Sequence, residues 1–341
     1  MGRALRYDDL FALREASDPA LSPDGSRVAF VITRADEAAD ANRSTIWTVP
    51  VAGGEPKQLT YGDNDAAPRW SPDGSQLAFV REGQLWLLPT AGGEARKLTD
   101  LPLGAGAAEW SPDGKRILIN APVDLRAKSR DETAKDPLVV DTGAYKGDGG
   151  GMFGTRRMHL YVVDAETGEA KHITSGDLNA SFKSWSPDGT KTAFVGSSVD
   201  MDLDPHSKLY TVDLKTGRQN VVDTPWEGTF SSVDWVEGHG EAGAAGWFLC
   251  VGSPQPGPCH SRLYAVPETG GGVSELTKGF DRNVMLGGPA YPGARPRIAG
   301  DRIVFCARDR GCTHAYEVHD FNVTKIIGGD DRVVAGLGIA G

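Results

Sequence analysis

Serine, histidine, cysteine and arginine side chains are where this sequence could do chemistry. A serine nucleophile of the α/β-hydrolase type needs Gly-x-Ser-x-Gly, because a strained strand-to-helix turn must hold the hydroxyl out toward substrate. The nearest approaches are "GSSVD" at 196–200 and "GVSEL" at 272–276, and each lacks the second glycine. Ser198 and Ser274 therefore read as ordinary loop serines beside strands. Seven histidines (His159, His172, His206, His239, His260, His314 and His319) are scattered over several of the repeats. His314 and His319 flank one short apolar run five residues apart, so in a strand they face opposite sides. Four cysteines (Cys250, Cys259, Cys306 and Cys312) match no zinc-ligand spacing. They are expected to be free thiols, with a disulfide left open. No glycine loop of the P-loop form occurs. The reading is of no cofactor and no metal.

The elements that would have to position any site come from a repeated phrase. "WSPDG" stands at 70–74, 110–114 and 185–189, and "LSPDG" at 21–25. Ser-Pro-Asp-Gly is a tight turn: proline presets φ, and glycine takes the left-handed conformation that reverses the chain. Strand-length apolar runs follow, "SRVAFV", "SQLAFV", "KRILI" and "TKTAFV". A calcium loop is the rival reading, but it needs several oxygen ligands at alternate positions where SPDG has one carboxylate. Further on comes an aromatic strand, six times over: Trp47, Trp86, Tyr161, Tyr210, Tyr264 and Tyr316. Glycine-rich turns and a short closing strand, often ending in threonine, complete each unit. Four short strands repeated every 40–50 residues are the signature of β-propeller blades.

The blades are expected at about 17–60, 61–99, 100–174, 175–222, 223–277 and 278–328. "LRYDDLFALREA" at 5–16 suggests a short amphipathic N-terminal helix, giving a 1–16 helical segment before a 17–341 propeller. The closing "GLGIAG" sits in phase with the "RIAG" of blade six. The expectation is therefore an all-β, seven-bladed type of ring: six near-complete blades and a truncated seventh, at the front of a longer protein.

Composition agrees with a turn-rich fold: glycine, at 44 of 341 residues, is nearly twice the usual ~7%. A formal net charge of −10 argues against nucleic acid, which needs clustered Lys and Arg, and against an anionic membrane surface. The N-terminus has no apolar core of signal-peptide length, which points to the cytoplasm.

The opening "DDLFALREASDPALSPDGSRVAFV", the tandem WSPDG blades and "LWLLPTAGGEARKLT" together resemble the prolyl oligopeptidase family of serine peptidases, in its acylaminoacyl-peptidase and dipeptidyl-aminopeptidase-like branch. The resemblance implies a propeller that caps a Ser-Asp-His α/β-hydrolase domain and admits short peptides. That catalytic domain and its triad are absent here, so no catalytic residue carries over and the chain should be inactive alone. A non-catalytic TolB-like interaction propeller is the alternative. If the ring caps a hydrolase, the long 121–158 interruption of blade three is the segment best placed to meet peptide. It offers Tyr145, a glycine hinge, and adjacent Arg156 and Arg157, whose planar forks suit a peptide carboxylate or carbonyl. In a strand the two arginines point opposite ways, so only one should qualify.

Overall fold

The computed structural model describes residues 3–4, 6–125, 145–147, 151–152, 154–198, 204–238, 246–257, 259–288, 291–329 and 331–339. Six antiparallel blade sheets succeed one another along the chain, with two extra two-stranded hairpins. In blades one to five the strand order follows the sequence, from the inner strand outward. The inner strands are Glu15–Leu21, Ala66–Trp70, Glu109–Trp110, Asn179–Trp185 and Thr229–Val236. Blade six departs: its inner strand is split into Asn283–Val284 and Arg297–Ala299, both pairing with Arg302–Asp309. The intervening residues carry a separate small hairpin, Leu286–Gly288 with Tyr291–Gly293.

Each repeated phrase joins an inner strand to the next strand, and its residues close the turn in the same way each time. The serine hydroxyl donates to the aspartate at 2.6, 2.6, 2.5 and 2.6 Å in the four copies. The glycines sit at φ 69°, 71°, 69° and 67°, a region closed to most L-residues. These bonds favour the ionised carboxylate, and the serine hydroxyl and backbone N–H donors hold Asp24 and Asp73 down at about 2.

The tryptophans that open the phrase tie blades together. The Nε1 of Trp70 donates to the Ala20 carbonyl at 3.0 Å, Trp110 to Arg69 at 3.1 Å and Trp185 to Glu109 at 2.9 Å. Each indole thus bonds the inner strand of the preceding blade. The closing threonines are equally structural: Thr60, Thr99, Thr174 and Thr277 are buried and accept a third-strand amide at 2.9–3.2 Å. The third-strand aromatics stand opposite second-strand apolar residues, as Phe30 with Trp47 and Phe194 with Tyr210; the latter rings stack at 5.0 Å.

The core is distributed between blades. Buried clusters join blades one and two around Ile46 and Phe79, two and three around Leu85 and Ile117, and three and four around Leu160 and Phe194. The series continues with Leu209 and Phe248, then Leu263 and Phe305. Between blade six and blade one, the described residues hold no such cluster.

Two expectations are corrected. There are six blades, not a seven-bladed ring with a truncated seventh: among the described residues no strand follows Asn322–Ile327. The segment placed in phase with a seventh blade instead crosses to blade one. Val334 N donates to Thr313 O at 2.8 Å, and Gly336 lies so near Pro19 that a Cβ there would meet the ring at 2.5 Å. Nor does the N-terminal segment form an α-helix. A 3-10 turn spans Tyr7–Ala12 with no buried residue, while Glu15 and Ala16 pair with Thr33 and Ile32 in the inner strand of blade one. So short a helix is marginal without an apolar face to pack, and Leu10 and Leu13 are exposed. No helix among the described residues is long and apolar enough to cross a membrane.

Candidate functional site

The inner strands bring a set of charged side chains to the centre of the ring, and each blade contributes. Alternation along a strand places the residue just before the tryptophan on the opposite face from the indole. That position is Arg69 in blade two, Glu109 in blade three and Asp234 in blade five; Arg297 holds the matching place in blade six, before Ile298. Blade one supplies Asp18 and blade four Lys183, both at bulges where the strand register shifts. Asp18 and Phe182, next to Lys183, have φ of 48° and 40°. Bulges of this kind re-aim side chains, here by shifting the charge off the regular alternation.

Arg295, from the stretch that interrupts the inner strand of blade six, reaches across to three other blades. Its Nη2 donates to Asp234 Oδ1 at 2.8 Å, Val233 O at 2.9 Å and Lys183 O at 3.4 Å. Its Nη1 stands 3.8 Å from Glu109 Oε2. Lys183 Nζ donates to Asn120 Oδ1 at 2.9 Å, and Asn120 in turn donates to Ala180 O. Arg69 pairs with Asp18 at 2.9 Å. The side chains of Arg295, Asp234 and Glu109 remain 26%, 25% and 27% exposed, so water enters the channel. It does not solvate the charges as bulk water would. Burial pushes Lys183 down to about 8 and raises Glu109, the latter against the pull of Arg295 and Lys183.

The residues singled out from the sequence lie elsewhere. Ser198 follows the second strand of blade four, and Ser274 is exposed in the outer strand of blade five. Among the described residues there is no α-helix to build a nucleophile elbow around either. His206, His260 and His319 each face an aspartate at 3.0–3.5 Å on the surface, His314 is buried against Gly329 O, and His239 lies outside the described residues. One pair does meet: His159 Nδ1 and His172 Nε2 are 2.8 Å apart in blade three, both lowered by burial. Cys250, Cys259 and Cys306 are free thiols.

Of the 121–158 interruption, 126–144, 148–150 and 153 lie outside the described residues. Arg156 and Arg157 fall at the start of the third strand of blade three, opposite Asp124 and Val123. Arg156 is exposed, whereas the Arg157 side chain is 10% exposed and pairs with Asp177 at 2.5 Å. Tyr145 is exposed beside the two-residue strand Lys146–Gly147. None of the three joins the channel charges in a hydrogen bond or ion pair.

Comparison with known proteins bears on the whole ring. The family model of the dipeptidyl peptidase IV (DPP IV) N-terminal region matches residues 22–120. The chain is 35% identical over 214 residues to the uncharacterized peptidase YuxL of Bacillus subtilis, covering 59% of this chain and 32% of that protein. It is 30% identical over 242 residues to dipeptidyl-peptidase 5 of Porphyromonas gingivalis, covering 64% and 35%. Among solved structures, acylaminoacyl peptidase of Pyrococcus horikoshii superposes with a TM-score of 0.72 at 18% identity, over 97% of this chain and 48% of that one. The matched part spans about a third of the length of these two curated relatives.

Proposed function

We propose that this β-propeller belongs to the prolyl oligopeptidase family of peptidases and that it gates and selects peptides for a serine exo- or oligopeptidase whose α/β-hydrolase domain lies outside these 341 residues. The observation that carries this reading is the set of charges that all six blades contribute: Asp18, Arg69, Glu109, Lys183, Asp234, Arg295 and Arg297. On this reading the channel excludes folded proteins by size while its charges meet short peptides. Tyr145 and Arg156 are the proposed peptide contacts on the interruption of blade three; Arg157, tied to Asp177, serves to position the strand that carries Arg156.

The test is to label the natural reading frame containing these residues with a fluorophosphonate serine probe and map the adduct. The expected adduct lies outside residues 1–341, and short chromogenic peptides are cleaved while the same sequence inside a folded protein is not. An adduct on Ser198 or Ser274, or cleavage of the folded substrate at the same rate, overturns the reading.

A further inference from the structure

Four cations and three carboxylates line the channel among the described residues: Arg69, Lys183, Arg295 and Arg297 against Asp18, Glu109 and Asp234. Arg69 has Asp18, and Arg295 has Asp234 and Glu109. Lys183 is satisfied by a neutral amide, Asn120. Arg297 differs from all of them. No acceptor among the described residues lies within hydrogen-bond reach of its guanidinium, although it stands close enough to Asp234, Arg295, Arg69 and Glu109 to feel each of them. A protein of net charge −10 thus keeps one surplus positive charge at its centre, on a side chain with five unused donors.

The geometry points to Arg297 as the anchor of a binding site for a single carboxylate inside the channel. Arg295 is two residues from Arg297 and near enough for its charge to act on it, so a ligand held by Arg297 lies beside a second guanidinium already fixed by blades three to five. A guanidinium fork takes a carboxylate bidentately. The surplus is one charge, and Asp234 and Glu109 stand close by, so a dianion such as the doubly charged form of phosphate meets about twice the repulsion that a monoanion does. The site needs only the channel, and it goes beyond the gating role: it stands whether or not a hydrolase domain is attached.

Calorimetric titration of the 341-residue chain at fixed ionic strength and pH 7 tests this, with N-acetyl-Ala-Ala as the free acid, its C-terminal amide, sodium acetate and inorganic phosphate as probes. The acid is expected to bind and the amide not. Arg297→Gln should weaken the acid by at least about tenfold, and Arg297→Lys, which keeps the charge but loses the fork, by less. Both variants should keep the circular dichroism of the parent. Acetate binding as well as the peptide acid supports a site for any small carboxylate; acetate failing where the acid succeeds supports a peptide terminus. Equal binding of acid and amide, no binding of the acid, tighter binding of phosphate, or undiminished binding by folded Arg297→Lys and Arg297→Gln overturns the proposal.

Discussion

The turns on one rim of the ring and the charges in its channel are carried by the same inner strands, only a few residues apart, yet they are built on opposite plans. On the rim, one residue set recurs and makes the same bonds at nearly the same lengths in four blades. In the channel no fixed set recurs: an aspartate, an arginine, a glutamate, a lysine, an aspartate and two arginines follow one another from blade one to blade six. Repetition marks what each blade needs in order to fold, and variation marks what the ring as a whole presents. Trp185 and Lys183 show the division within one strand. The indole is buried, donates to Glu109 O and lies under Arg116 at 5.1 Å, while the ammonium two residues earlier is held in a poorly solvated channel by a neutral amide.

The comparison is broken most forcefully at Trp185. Trp185→Ala should destabilise the chain by about 3–5 kcal/mol, read as a fall in the urea midpoint without a change in slope. A loss under about 1 kcal/mol would mean that the tryptophans do not clamp the blades.

Lys183→Met should do the reverse. Unfolded, this lysine keeps its proton up to its ordinary value of 10.5, whereas folded it loses it near 8. The unfolded state therefore binds more protons across that window, and the stability of the parent rises from pH 8 to 10.5, by up to about 3 kcal/mol. The variant should be at least as stable as the parent at pH 7 and should lack that part of the rise. A destabilised variant with an unchanged pH profile would place Lys183 with the structural residues.

On the rim, Asp73→Asn should cost about 0.5–1.5 kcal/mol at neutral pH. Because the folded carboxyl is held near 2, its contribution is present above the ordinary carboxylate value and is lost as pH falls through the folded one. The gap between parent and variant should then close between about pH 4 and 2. A gap that persists at pH 2 would show that the turn does not depend on the charge. The smallest effect on stability is expected at Arg156, which is exposed. Arg156→Ala should leave the unfolding midpoint unmoved, and in the full-length peptidase it should raise KM for short peptides more than it lowers kcat. Unchanged kinetics would remove that residue from the proposed peptide contacts.

What could be read from the residues in order was whatever a few neighbours decide among themselves. Ser22, Pro23, Asp24 and Gly25 close their own turn, and Phe194 meets Tyr210 across a hairpin only 16 residues long, so turns, strands and blade count up to six were legible in the repeats. The tryptophans were visible too, although their indole bonds to the preceding blade were not. The tertiary structure alone decided the rest. It turned the stretch from Gly336 to Gly338 away from a seventh blade toward Pro19 and Leu21, because a strand forms only where a partner stands beside it. It also left the 6–16 stretch with a 3-10 turn in place of an α-helix, since Leu10 and Leu13 found no surface and Glu15 and Ala16 were taken into a sheet. Arg69, Glu109 and Asp234 looked like ordinary letters before a tryptophan, and Asp18, Lys183, Arg295 and Arg297 carried no local mark at all. Their meaning arises only when Arg295 meets Asp234 and Lys183, 61 and 112 residues away in sequence. Contacts that distant depend on how the blades are arranged around the ring, which no local run of residues encodes.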